Sequence, residues 1–118
     1  MLTAEMKDYA GLRRLVADGA DIDLKNADGW TILHGAARDG DDELVQVYAE
    51  LEGDMDAKNN AGETALHIAA KDGDHTTLVA LIANKADALS QNDTGKQALQ
   101  LAKERGHEDM VDFLSWFS

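Results

Sequence analysis

The 118-residue sequence contains no cysteine and no proline. Without cysteine there is neither a disulfide nor a thiolate metal site, and nothing marks a redox compartment. Without proline few segments are expected to be stiff linkers. Aromatic residues make up only 5% of the chain, so the 44% apolar content implies a core of Ala, Leu, Val and Ile. No apolar run approaches the roughly 20 residues that cross a bilayer as a helix. The opening stretch MLTAEMKDYAG lacks the basic and apolar segments of a signal peptide, so no leader is expected within it. The compartment stays open between the cytoplasm, taken by default, and an exported mature form. Basic residues are also scarce, 11 against 23 acidic, for a net charge of −12. Such a surface repels nucleic-acid phosphates and anionic lipid and favours basic protein partners.

What the sequence does contain is repetition. DGWTILHGAARDGD starts at Asp28, AGETALHIAAKDGD at Ala61 and TGKQALQLAKERGH at Thr94, a spacing of 33 residues. The glycines Gly29, Gly62 and Gly95, and then Gly40, Gly73 and Gly106, keep the same period. Upstream of each copy stand GADIDLKN from Gly19, EGDMDAKN from Glu52 and KADALSQN from Lys85, in the same register. A fixed period of this length marks a stacked repeat architecture. The string resembles the ankyrin repeat, G-x-T-P-L-H-x-A-A-x-x-G followed by a second helix and G-A-D, closely over residues 10–118 and loosely over residues 1–9, a truncated N-terminal cap. The resemblance implies an all-α ankyrin-repeat solenoid of about four helix-turn-helix units with projecting β-hairpin loops. Its implied division is one domain, 1–118, with capping repeat 1–28, repeats 29–61 and 62–94, and capping repeat 95–118.

The residues of each copy have local reasons for their places. Thr31 and Thr64 precede helical patterns and can cap them. His34 and His67, three residues on, can reach back to the cap as Glu does in a capping box. The third copy has Gln97 and Gln100 instead, and Gln97 is the poorer cap. Ile32, Ala65 and Ala98 fill the family's proline position. Leu33, Leu66 and Leu99 are expected to line one continuous core, with Ala36, Ala37, Ala69 and Ala70 letting neighbouring helices approach. Leu12, Leu15 and Val16; Leu44, Val45 and Tyr48; Leu78, Leu81 and Ile82; and Met110, Val111 and Leu114 form helical stripes for the second helices. Gly19 suits a left-handed turn after a helix, whereas Glu52 and Lys85 occupy the same slot with strain. Asn26, Asn59 and Asn92 supply turn chemistry for the hairpins.

Catalytic and metal-binding patterns are weak. His34 and His67 sit one repeat apart, farther than two ligands of one zinc. His107 falls in a turn and His75 beside a helix, neither with a second ligand close in sequence. DGDDE (Asp39 to Glu43) and DGADIDLKNADG lack the spacing of a calcium loop and read as solvated turns. Ser90, Ser115 and Ser118 are not on a nucleophile turn, and no phosphate-cradling loop is present. Asn92-Asp93-Thr94 matches a glycosylation acceptor and is read as a hairpin tip. No catalytic residue, cofactor or metal is expected, and the chain is not expected to be an enzyme.

The resemblance places partner contacts on the hairpin tips and the exposed side of the first helices. On this chain those are Ala27, Asp28, Trp30, Arg38 and Asp39; Asn60, Ala61, Glu63, Lys71 and Asp72; and Asp93, Thr94, Lys96, Glu104 and Arg105. Trp30 takes a slot held by Glu63 and Lys96 in its sister copies and reads as an exposed interface anchor. Met110, Phe113, Leu114 and Phe117 form a stripe expected to close the stack, with Trp116 off it, so that Phe113, Trp116 and Phe117 are candidates for a second contact. The expected function is a non-catalytic module that binds one protein partner bearing a basic patch, and inhibits, protects or sequesters it. The rival readings are an adaptor bridging two proteins or dimerising through its C-terminal aromatics, in place of a monomer, and an acidic mimic of nucleic acid.

Overall fold

The computed structural model describes residues 9–117. Seven helices follow one another: α1 (Ala10–Ala17), α2 (Ile32–Asp39), α3 (Asp42–Glu50), α4 (Ala65–Asp72), α5 (His75–Ala83), α6 (Ala98–Glu104) and α7 (Glu108–Leu114), closed by a 3-10 turn at Ser115–Phe117. Three full helix pairs, α2/α3, α4/α5 and α6/α7, stack in sequence behind α1. The first helices form one layer, α2 on α4 on α6, and the second helices another, α3 on α5 on α7. The architecture is an all-helical repeat solenoid. Most of the expected N-terminal cap, residues 1–8, lies outside the described residues.

The layers differ because their side chains differ. Ala36, Ala37, Ala69, Ala70, Ala98 and Ala102 are buried, so the first helices pack with little more than methyl groups between them. Val45, Tyr48, Leu78, Leu81, Met110 and Leu114 fill the wider space against the second helices. Leu33 and Leu66 are 1% exposed. Leu99 corrects the expected three-residue spine: it is only half-buried, because it lies in the last stacked unit and no later repeat covers its outer side. Leu15 likewise departs from its stripe and is largely exposed.

α1, α3 and α5 each end in a pair of backbone bonds around a left-handed residue, Gly19, Glu52 and Lys85, whereas α7 runs on into its 3-10 turn. After α3, the Gly53 N–H donates to the Tyr48 carbonyl at 3.0 Å and the Glu52 N–H to the Ala49 carbonyl at 3.0 Å. Ala86 and Lys85 repeat this pattern after α5. Glu52 (φ 63°) and Lys85 (φ 74°) are the described non-glycine residues with positive φ, as their slot required. The projecting loops are tight turns, and among the described residues no strand forms. The Asn26 N–H donates to the Trp30 carbonyl, and the Asn26 side chain accepts from the N–H groups of Asp28 and Trp30. Asn59 and Asn92 do the same one and two repeats on. With the side chain satisfying the turn, each arm pairs too briefly to make a ladder.

Tyr48 and Gly53 compensate each other. Tyr48 stands where the neighbouring copies have Leu15 and Leu81, and Gly53 where they have Ala20 and Ala86. A Cβ on Gly53 would collide with the Tyr48 ring, which is fully buried. The Tyr48 hydroxyl donates to Asp23, and burial together with that carboxylate raises its pKa. Gly53→Ala is therefore expected to cost about 2 kcal/mol by overpacking, and less than half of that in a Tyr48→Leu background. Urea unfolding of the four chains measures this, and an equal cost in both backgrounds would contradict it. Glu52→Gly and Lys85→Gly each relieve a left-handed non-glycine residue and are expected to add about 0.5–1 kcal/mol in the same assay. Loss of stability in both would show that their side chains hold the turn.

Candidate functional site

The first helices begin with a cap that does two jobs. The Thr31 hydroxyl accepts from the His34 N–H at 3.4 Å, and the Thr31 N–H donates to His34 Nδ1 at 3.1 Å. Thr64 and His67 repeat this with 3.4 and 3.1 Å. Because Nδ1 accepts, the proton resides on Nε2. From there His34 donates to the Glu63 carbonyl at 2.8 Å and His67 to the Lys96 carbonyl at 2.9 Å. Each imidazole therefore closes its own helix start and grips the hairpin of the next repeat. In the third copy Gln100 keeps the reciprocal half, accepting the Gln97 N–H at 2.8 Å, while the Gln97 side chain makes no cap bond.

These histidines are structural, and the residues expected to meet a partner stand around them. Ala27, Asp28, Asn60, Ala61, Asp93 and Thr94 sit exposed at the turn tips. The tips are joined: the Asn60 N–H donates to the Asp28 carbonyl, the Asp93 N–H to the Ala61 carbonyl, and the Asn60 side chain to the Ala27 carbonyl. Arg38, Asp39, Asp72, Glu104 and Arg105 lie exposed at the helix ends, and Lys71 is half-buried there.

Between tip and helix end runs a pairing that sequence reasoning missed. Arg38 stacks its guanidinium 5.5 Å from the Trp30 ring centre. One repeat on, the same two positions hold Glu63 and Lys71, an ion pair at 2.7 Å. In the last repeat they hold Lys96 and Glu104, an ion pair of reversed sign at 2.6 Å. The signal was in the sequence: positions eight apart are complementary in all three copies. Burial raises the Glu63 carboxyl, but the Lys71 pair outweighs it and holds Glu63 below the ordinary range.

Trp30 corrects the reading of an exposed anchor. It is half-buried, packed against the core with its ring 5.6 Å from that of His34, and Arg38 covers part of what remains. Glycine at position 29 lets the adjoining tip approach, since a Cβ there would lie 2.6 Å from Asn60 Oδ1. At the C-terminus the aromatics divide. Met110 and Leu114 are buried, Phe113 is half-buried and Phe117 is 39% exposed, so the stripe closes the stack only in part. Phe113 sits edge-on to His75 at 5.7 Å and to Phe117 at 5.5 Å. Trp116 joins none of these ring contacts and is 86% exposed. His75 opens α5, and the His107 ring lies over Gly73, 2.7 Å from where a Cβ would stand. Among the described residues no three His, Cys, Asp or Glu are grouped to hold a metal ion.

The family model for ankyrin repeats, in three copies, matches residues 1–87 and 33–116. The chain belongs to the ankyrin-repeat family. Comparison with curated proteins finds no match. Ankyrin membership makes it a protein–protein interaction module, built from units whose stacking contacts recur and whose tips and helix ends vary.

Burial lowers the pKa of both capping histidines below the ordinary 6.5. The unfolded chain then takes up protons first as pH falls. Their contribution to stability is complete above about pH 6.5 and is lost progressively below it, toward the lowered folded-state values. The His34→Gln/His67→Gln ankyrin array is expected to be less stable at about pH 7.5 and to lose less stability than the native chain on going to about pH 5. Parallel slopes in urea titrations would mean that other groups control the acid response.

Proposed function

We propose that the turn tips and first-helix ends form the face that holds one protein partner. One observation carries this reading. Residues that repeat between the first helices are spent on caps, glycine approaches and the core, while the differing residues at their tips and ends form three adjacent rungs on a single side, Trp30–Arg38, Glu63–Lys71 and Lys96–Glu104. Differing side chains set side by side at matching places of a repeat scaffold are the pattern of a recognition surface.

The rungs supply a firm platform. Their charges are matched within the face, so long-range attraction falls to Asp28, Asp72 and Asp93, whose carboxylates make no hydrogen bond or ion pair in the described structure. A partner with basic side chains opposite them fits, and the Trp30–Arg38 stack offers a flat, half-buried centre. We favour a non-catalytic module that inhibits, protects or sequesters its partner by covering a surface, with bridging of two proteins as the alternative. Nucleic-acid mimicry is disfavoured by the near balance of charge on this face.

Affinity capture from the source organism supplies the partner, after which binding is measured for Trp30→Ala and Arg38→Ala. Arg38→Ala removes a mostly exposed side chain outside the core and controls for loss of fold. Both are expected to weaken binding about ten-fold or more. Affinity within a factor of two for both would remove this face from consideration.

A further inference from the structure

Trp30 shows how this chain holds a flat cation against an indole. The Arg38 guanidinium lies 5.5 Å from the ring centre, and its Nε donates to Asp39 at 3.2 Å. Indole, guanidinium and carboxylate form a trio centred on the cation, which meets the π face and an ion-pair partner together.

Two members of the same trio recur at the other end of the stack with the third missing. Trp116 is 86% exposed, the most exposed of the large apolar side chains described. Asp112 lies one helical turn before it, and the two line a hollow of about 270 Å³ with Ser115. Asp112 also lines a second hollow, about 320 Å³, with Lys103, Gly106, Glu108 and Val111, so this one carboxylate borders both. The Ser115 hydroxyl is already committed to the Val111 carbonyl at 2.7 Å. Neither Asp112 nor Glu108 makes a side-chain hydrogen bond or ion pair in the described structure. Among the described residues nothing packs on this side: a Cβ on Gly106 would meet nothing within 4 Å, whereas one on Gly73 would meet the His107 ring at 2.7 Å.

We propose that the Trp116–Asp112 end of α7 is a second docking site that takes an arginine side chain from a partner protein. The arginine would stack on the Trp116 indole and pair with Asp112, with its flanking chain over the second hollow, which Glu108 also lines. Charge selects this occupant over a second copy of the chain. A homodimer through this end would oppose two bodies of net charge −12 with Asp112 and Glu108 on both sides of the contact. An arginine-bearing segment is attracted by the same groups. The site lies at the far end of the array from the Trp30 rung, so an adaptor would gain its second handle here.

A capped tri-arginine peptide is the probe, and its neutral tri-citrulline counterpart is the control. Nitrogen-edited NMR follows the two indole N–H signals, assigned by Trp30→Phe, at about 150 mM salt. The Trp116 signal is expected to shift and saturate with tri-arginine and stay still with tri-citrulline. Asp112→Asn is expected to weaken binding about five-fold, and Asp18→Asn to leave it unchanged. Both substitutions are exposed and conservative, and the unshifted backbone spectrum reports that the fold is kept. Equal weakening by Asp112→Asn and Asp18→Asn would show only diffuse attraction to an acidic protein and overturn the site. So would a concentration-dependent dimer abolished by Trp116→Ala, which would assign the indole to a second copy.

Discussion

The structure depends on one bifunctional side chain. His34 and His67 each receive the N–H that opens their own helix and give their remaining proton to a carbonyl 29 residues away. A local capping bond and a long-range stacking bond thus share one ring, and neither can be lost alone. Both rings are buried, His34 at 0% and His67 at 1% exposure, so an unmade bond would leave a desolvated polar group. This couples helix formation in one unit to the position of the hairpin in the next. A repeat that cannot bury its apolar face alone is held in register by that coupling.

Stacking then divides the surface by labour. Thr, His, Gly and Ala recur because the contacts between units recur. The glycines at 29, 62 and 73 let a neighbour's Asn60, Asp93 and His107 come within what a methyl would occupy. What remains free to differ is pushed to the turn tips and helix ends, where three copies of one geometry carry an aromatic–cation pair and two ion pairs of opposite sense. The scaffold fixes the place of each rung and leaves its chemistry open, which is how one fold serves many partners.

Sequence reasoning reached what is local or periodic. The Thr caps, the Asn turns and the strained slots at Glu52 and Lys85 follow from residue types at fixed offsets, and the structure places them as expected. The acceptors of His34 and His67 were out of reach, because a backbone carbonyl has no signature in the sequence. Leu99 was misjudged because its pattern matches Leu33 and Leu66 while its surroundings do not: burial belongs to the stack, and the last unit has one neighbour. Trp30 was misjudged because an aromatic in a charged slot looks exposed until its pairing with Arg38 is recognised. The division between Phe113–Phe117 and Trp116 depends on side-chain direction, which helical spacing alone does not give. As for the candidate face, its position was legible and its internal pairing was not.

The dual role of the two histidines is most directly tested by the state of their rings in solution. Long-range proton–nitrogen NMR at neutral pH reports which nitrogen carries the proton and how fast it exchanges with water. Both rings are expected to be neutral and protonated on Nε2, with that proton protected from exchange by the carbonyl it serves. A proton on Nδ1, or a mixture of the two forms exchanging freely with solvent, would contradict the coupling on which this account of the stack rests.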